Sequence, residues 1–353
     1  MNITKLILCF SLAFGVSVAS TPFVKILAHK IGAIDVPDAR RVHDHPIPRM
    51  GGLAIFYGFL ISILCFAAVD TQLKGILIGT LIIVSLGIVD DVKQLGAKIK
   101  FIVQILVACI VVYHGVVIEY ISVPESIVPG GYVYLGHFAV PLTILWIVGV
   151  TNAVNLIDGL DGLAVGVSSI ATFSLFFIAI LTGEMQVALI TAALAGGCLG
   201  FLPYNFNPAK IFMGDTGSTF LGFMLSVVCI QGLFKGYVLI SFIIPFLILG
   251  LPIFDTAFAI VRRIWNKKPI MAPDRGHLHH KLMDMGFSQK QTVAILYIIT
   301  SILALSAVVV LEIGAYTACV FIITIVAFSA FAYKVYSANH KAKTQDENPK
   351  GDA

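Results

Sequence analysis

The chain has 353 residues, 58% of them hydrophobic and 12% charged, with a formal net charge of +4 and a mean hydropathy of +0.97. A water-soluble core cannot absorb that much apolar surface, so the composition excludes a soluble enzyme or binding module and points to an all-α polytopic membrane protein. The six cysteines (Cys9, Cys65, Cys109, Cys198, Cys229, Cys319) lie in apolar runs without CxxC or metal-ligand spacing and read as small apolar fillers.

The first apolar run, MNITKLILCFSLAFGVSVAST, has the outline of a signal peptide, with Ser17-Val18-Ala19-Ser20 resembling a cleavage site. Lys5 alone precedes it, whereas Lys25, Lys30, Arg40 and Arg41 follow, an asymmetry that favours an uncleaved span with the N-terminus outside. Runs of about 17–25 apolar residues give about eleven spans, near 4–27, 51–69, 75–90, 101–118, 138–154, 163–182, 186–203, 217–233, 238–261, 291–311 and 315–336. An odd count then puts the C-terminus in the cytoplasm. Lys5, Lys74 and Lys235 fall outside, leaving 20 of the 23 Lys and Arg inside, as the positive-inside rule expects. The outer loop 119–137 is expected to hold a small strand or hairpin, with Tyr120, Tyr132 and Tyr134 as interface anchors. Residues 1–336 read as a single integral-membrane catalytic domain, and 337–353 as a polar cytoplasmic tail expected to be disordered. Pro245 and Pro252 in the ninth span fit ordinary kinking and the opening of a lipid groove equally well.

Between two of these apolar runs stands TNAVNLIDGLDGLA, residues 151–164. Asn152, Asn155, Asp158 and Asp161 recur every three residues, which on a helix or helical turn keeps them near one face. Asp90 and Asp91 end the third span, Asp215 follows the seventh in IFMGDTGS, and Asp255 lies in the inner part of the ninth. Carboxylates beside hydrocarbon are costly unless paired, bound to metal or facing water, so their gathering on one side argues for a shared polar cavity. The plainer readings are a solvated acid pair at Asp90-Asp91, an Asp-capped turn at Asp215, and a helix-pairing role for Asp255. Clustered carboxylates with open positions suit a hard divalent ion such as Mg²⁺, and Gly214 and Gly217 free the backbone at a helix start that faces an anion.

Two inner loops are basic. DVPDARRVHDHPIPRMGG carries Arg40, Arg41, His43, His45 and Arg49. RRIWNKKPIMAPDRGHLHHKLMDMGFS carries Arg262, Arg263, Lys267, Lys268, Arg275 and Lys281 beside His277, His279 and His280. Such charges are commonly topology signals or lipid head-group contacts. The three closely spaced histidines lack cysteine partners and a zinc spacing, and fit phosphate recognition better. Acids for a metal together with bases for phosphates is the logic of phosphoryl transfer.

VDD at 89–91, NAVNLIDGLDG at 152–162, FMGDTGS at 212–218 and PDRGHLHH at 273–280 resemble, in order, the motifs of the polyprenyl-phosphate N-acetylhexosamine-1-phosphate transferases (glycosyltransferase family 4), over about residues 20–335. The HLHH after PDRG resembles the bacterial branch that moves GlcNAc-1-phosphate from UDP-GlcNAc to undecaprenyl phosphate and starts teichoic acid, O-antigen or other envelope polysaccharides. The resemblance implies Mg²⁺, with Mn²⁺ as a substitute, at Asp215 with Asp91 or Asn155 close by. It implies Asp90 as the acid that deprotonates the lipid phosphate, with Asp91 and Asp158 beside it in the catalytic set. It further implies Asn152, Asn155, Asp161, Phe212, Arg275, His277, His279, His280 and Arg49 around the nucleotide sugar, Phe212 beside the uracil. UDP-sugar, undecaprenyl phosphate and membrane lipid are the implied partners, with no nucleic acid, and a homodimer is compatible. The implied site faces the cytoplasm across the bacterial inner membrane. Direct attack of the lipid phosphate, releasing UMP, is the favoured route, and a two-step route through an aspartyl intermediate stays open. The same reaction with UDP-GalNAc, a diaminosugar or UDP-MurNAc-pentapeptide also stays open. A cation-coupled transporter is the rival class, but it should carry its acids near the bilayer midplane on repeated halves. A structural scaffold would not maintain so many costly polar groups.

Overall fold

The computed structural model describes residues 3–37, 45–122, 128–232, 243–269 and 276–313. Twelve α-helices run through these residues: α1 (Ile3–Ile31), α2 (Gly52–Phe66), α3 (Thr71–Lys93), α4 (Ala97–Tyr113), α5 (Ala139–Leu156), α6 (Leu163–Leu181), α7 (Met185–Asn205), α8 (Gly214–Gly232), α9 (Ile243–Ile248), α10 (Gly250–Trp265), α11 (Leu278–Asp284) and α12 (Gln289–Ile313). Among the described residues, six helical segments are long and apolar enough to cross a membrane: Ile3–Ile31, Thr71–Lys93, Gly136–Leu156, Leu163–Leu181, Met185–Asn205 and Gln289–Leu311. The protein is therefore an all-α polytopic membrane protein. The first eight expected spans and the tenth each coincide with one helix. The ninth is broken into α9 and α10 at Leu249, between Pro245 and Pro252. The expected eleventh span at 315–336 and the tail 337–353 lie outside the described residues.

α8 sits at the centre. It packs against α2, α3, α5, α6 and α7, and all its residues are buried except Asp215. A helix enclosed by protein needs no lipid-facing apolar stripe, and α8 is accordingly rich in Gly, Ser and Thr, the residues that let membrane helices approach closely. Gly217 meets the backbone of Gly52 on α2, and Gly87 on α3 lies against the backbone of Thr216. A side chain at any of these glycines would push the helices apart. Hydroxyls add contacts between helices: Ser17 Oγ donates to the Gly197 carbonyl at 2.8 Å and Ser62 Oγ to that of Cys9 at 3.0 Å. Cys9, Cys198 and Cys229 are buried thiols, in keeping with a filler role.

Two small antiparallel pairs interrupt the helices. The segment 119–137 carries β3 (Tyr120–Ser122) paired with β4 (Tyr132–Tyr134), the hairpin expected there. The connection between α1 and α2 carries β1 (Ile34–Asp35) paired with β2 (Ile47–Pro48), which periodicity did not foretell because each strand is only two residues long.

Helix direction alternates along the chain, so α1, α3, α5 and α7 end, and α2, α4, α6 and α8 begin, at one end of the bundle. The polar motifs from 90–100, 152–162 and 205–218 all fall there.

Candidate active site

At that end lies a polar pocket of about 340 Å³. Its walls come from helix ends that are remote in sequence: Asp35 after α1, Arg49 before α2, Lys100 in the first turn of α4, Asn155 at the end of α5, Asp158 to Asp161 between α5 and α6, Asn205 at the end of α7, Phe212, Gly214 and Asp215 at the start of α8, His280 on α11 and Gln289 on α12.

The segment 47–52 ties the connection between α1 and α2 to α8. Arg49 N donates to the Ala33 carbonyl, Phe212 N to that of Pro48, and Gly51 N to that of Phe212, at 2.8–2.9 Å. Arg49 and the Phe212 ring thereby reach one pocket from distant parts of the chain. Met50, buried beside Arg49, holds φ at +74°, a strained conformation kept by these neighbours. The Arg49 guanidinium lies 3.4 Å from Asp35 Oδ1 and 3.7 Å from Asp91 Oδ1.

Asp91 departs from its expected place among the metal ligands. Its carboxylate accepts from Asp215 N at 2.9 Å, Thr216 N at 3.0 Å and Thr216 Oγ1 at 2.6 Å, and it does not line the pocket. It satisfies the orphan amides that begin α8, as an N-terminal cap does. Gly214, with φ at +72°, makes room: a Cβ there would lie 2.5 Å from Asp91 Oδ2. The contact of Gly87 with α8 brings the two helices close enough for this capping.

Asp215 does line the pocket, and Lys100 joins it to Asp90: Nζ lies 2.6 Å from Asp215 Oδ2 and 3.0 Å from Asp90 Oδ2. Asp90 also accepts from Leu95 N at 2.6 Å and stands behind Lys100, outside the pocket lining. Lys100 was not singled out from sequence, because Lys93, Lys98 and Lys100 look alike as inner-side topology charges.

After α5 the backbone turns sharply. Asn155 donates to Ser218 Oγ at 2.7 Å, which links the α5 end to α8. Asp161 accepts from Asn207 Nδ2 at 2.9 Å and Ala209 N at 3.0 Å, and Gly162 adopts φ +78° before α6 begins. Asn205 accepts from Gly162 N, and the Tyr297 hydroxyl donates to the Gly162 carbonyl, so both polar groups of that peptide position are held. Asn155, Asp158 and Asp161 share the pocket, as their spacing implied. Asn152 does not: it donates to Gln104 and to the Val148 carbonyl, away from the pocket. One more helical turn up α5, the same face meets α4. Burial, then the negative charge of Asp215, push the Asp158 carboxyl up to about 8.

The three histidines part company. His277 is buried with Nδ1 2.8 Å from Asp255 Oδ2, a correction to its expected place against substrate. His279 is also buried and does not line the pocket; its ring backs the Asp158-Gly159 turn, where a Cβ on Gly159 would lie 2.6 Å from Nε2. Burial, then the neighbouring His280 and His277, hold His279 down to about 4, so it is neutral at pH 7. His280 lines the pocket. Arg275 lies outside the described residues, as do Arg40, Arg41 and His43.

The arrangement joins hard oxygen donors (Asp215, Asp158, Asn155), cations (Arg49, Lys100) and an aromatic ring (Phe212) in one cavity at helix ends. It suits a substrate with a phosphate-bearing part and a flat part. Glycosyl transferase family 4 matches residues 73–233. The chain is 47% identical over 309 residues, 86% of its length and 85% of the relative's, to a probable undecaprenyl-phosphate N-acetylglucosaminyl 1-phosphate transferase of Bacillus subtilis. This chain belongs to glycosyl transferase family 4. Within that family it falls in the polyprenyl-phosphate hexosamine-1-phosphate transferase branch. It is also 35% identical over 312 residues (80% of the chain, 77% of the relative) to a decaprenyl-phosphate N-acetylglucosaminephosphotransferase of Mycobacterium tuberculosis. A phospho-N-acetylmuramoyl-pentapeptide-transferase of Listeria monocytogenes shares 35% identity over 249 residues, 65% of the chain and 76% of the relative.

Proposed function

We propose that this family 4 member transfers GlcNAc-1-phosphate from UDP-GlcNAc to undecaprenyl phosphate, releasing UMP. The observation that carries the reading is the pocket itself, which gathers Asp215, Arg49, Lys100 and Phe212 at the ends of membrane helices. A lipid phosphate reaches such a site from the bilayer and a nucleotide sugar from the water. The names of the 47% and 35% identical relatives support GlcNAc as the sugar.

In this reading an oxygen of the lipid phosphate attacks the β-phosphorus of UDP-GlcNAc. The bond from that phosphorus to the bridging oxygen breaks, and UMP leaves with the bonding pair. Arg49 and Lys100 hold and neutralise the phosphate oxygens, and positioning with charge neutralisation supplies most of the catalysis. Phe212 stacks against the uracil. Asp90, one side chain behind Lys100, takes up the proton of the attacking phosphate once Lys100 turns to substrate. His280 contacts the diphosphate-sugar side.

Mg²⁺ suits this donor set. Asp215 and Asn155 offer carboxylate and amide oxygens, and no three His, Cys, Asp or Glu among the described residues are grouped to hold an ion unaided. Mg²⁺ characteristically takes one or two protein carboxylates and completes its shell with water and phosphate oxygens. When bound it would withdraw charge from the diphosphate. Asp91, engaged with the α8 amides, supports the site as a cap rather than as a ligand.

The site lies on the cytoplasmic face of the bacterial inner membrane, with about eleven spans and the N-terminus outside. The charge distribution supports this, since 20 of the 23 Lys and Arg fall on the pocket side of that topology. The lipid-linked product starts a cell-envelope polysaccharide.

The test uses purified protein in detergent with undecaprenyl phosphate, Mg²⁺ and radiolabelled UDP-GlcNAc, with EDTA as control. Butanol-extractable label and released UMP, both lost with EDTA, are expected. Transfer from a different UDP-sugar alone would replace the substrate, and no transfer from any UDP-sugar by folded protein would sink the reading.

A further inference from the structure

We propose that Asp255 is a positioning residue: from α10 it orients the histidine loop and so sets where His280 meets the pocket. This rests on the transferase reading above for its consequence, though not for its geometry. Asp255 does not line the polar pocket. Its two carboxylate oxygens face the loop instead, Oδ2 lying 2.8 Å from His277 Nδ1 and Oδ1 accepting from Leu278 N at 2.8 Å. The pair is shielded from water, with side-chain exposures of 8% for Asp255 and 6% for His277. One carboxylate therefore fixes both the first amide of α11 and the ring just before it.

The order passes on by direct contact. The His277 ring stacks nearly parallel on His279, with centroids 5.8 Å apart and planes at 7°. His279 meets His280 at 4.3 Å, and on its other side packs on Gly159 beside Asp158. A carboxylate on α10 is thus linked through two buried imidazoles to the pocket wall.

The loop has other moorings: α11 packs on α12, with Leu278, Leu282 and Met283 against the apolar core. Arg262, also on α10, donates from Nη1 to the Gly276 carbonyl at 2.8 Å, and Lys281 lies over the Phe258 ring at 4.7 Å. The hydrogen-bonding and cation–π anchors sit on α10, which is set off from α9 by the turn at Leu249. α11 itself has only seven residues, too short to hold its place without tertiary contacts. An Asp at 255 is therefore best read as a carboxylate placed to receive two donors from the loop. A histidine whose second nitrogen is fixed by a carboxylate is held in one tautomer and one ring orientation.

The test is hydrogen exchange on the full-length protein in detergent, with transfer kinetics on the same samples. Asp255→Ala is expected to speed amide exchange in 276–284 by about tenfold or more, with α3 and α8 unchanged. In the transfer assay it is expected to raise KM for UDP-GlcNAc by about tenfold, and KM for undecaprenyl phosphate by less than about twofold. Asp255→Asn, which keeps an acceptor for Leu278 N, should fall between. Because Asp255 is argued to act through His277, the double variant Asp255→Ala/His277→Ala should be no worse than the poorer single variant. Unchanged exchange in 276–284, or losses that add in the double variant, would overturn the proposal. If Asp255→Ala does not accumulate as folded protein, Asp255→Asn and Asp255→Glu carry the same two measurements. Native protein inactive with every UDP-sugar would remove the transferase reading, while the exchange data would still decide the role of Asp255.

Discussion

The two halves of the pocket are held by different means. On the acidic side, Asp215, Asp91 and Asn155 ride on α3, α5 and α8, which close glycine contacts press together and which the Asp91 cap and the Asn155–Ser218 bond join at their ends. On the histidine side, His280 sits on a seven-residue helix that Asp255 and Arg262 of α10 hold by hydrogen bonds and that packs on α12. The first arrangement resists displacement because moving a carboxylate means moving a buried helix. The second rests on a short helix, so displacing it costs the Asp255 and Arg262 hydrogen bonds and the packing of Leu278, Leu282 and Met283. A charged diphosphate needs a fixed electrostatic frame, and a bulky sugar entering from water needs a side that can give way. The same comparison divides the pocket lining by chemistry: helix ends supply carboxylates and cations, and the loop supplies His280.

Variants can break this comparison. The largest effect is expected from Asp215→Asn, which removes the pocket-lining carboxylate nearest Lys100 while leaving the helix intact. Turnover should fall by about a thousandfold, near 4 kcal/mol, with insertion and thermal stability close to native. Undiminished turnover at saturating Mg²⁺ would take Asp215 out of the reacting centre.

Next comes acid. His279 is held at about 4 against an ordinary 6.5, so it is neutral when folded and takes a proton more readily when the loop is open. Its contribution to stability is complete above pH 6.5 and declines as pH falls toward 4, to a limit of about 3 kcal/mol. Exchange in 276–284 should therefore quicken between pH 6.5 and 4, while that of α8 changes less. His279→Gln should flatten the dependence, and a pH response centred on α8 instead would reverse the contrast between the two sides.

The smallest effect sharpens the acidic side. Asp91→Ala leaves the amides of Asp215 and Thr216 and the Thr216 hydroxyl without their acceptor, a loss of about 2 kcal/mol. The expected signature is a lowered thermal midpoint with Mg²⁺ affinity nearly kept. Loss of Mg²⁺ affinity as deep as in Asp215→Asn would restore Asp91 as a ligand.

Much of this was legible in the residues. Apolar runs of spanning length reveal helices because a bilayer core admits little else, and the ends of those runs placed Asp90, Asp158, Asp161 and Asp215 on one side. Three-residue spacing brought Asn155, Asp158 and Asp161 to one pocket, and the same rule misled at Asn152, where the helix face had already passed to α4. Lys100 and Asp35 gave no signal. In sequence an inner-side lysine serves topology whether or not it also bridges two carboxylates, and Asp35 reaches the pocket through a strand pair of two residues per side.

What the sequence determined by itself was the membrane class, the helices and the clustering of chemistry at one end of them, since hydropathy and local spacing act over a few turns of chain. Only the tertiary structure decided which polar groups face the pocket and which hold it together. Asp91 became a cap and His277 a partner of Asp255 because the hydrogen-bond partners of each come from segments 124 and 22 residues away. Such pairings are set by how closely α3 meets α8 and where α10 ends, and no local pattern encodes those distances.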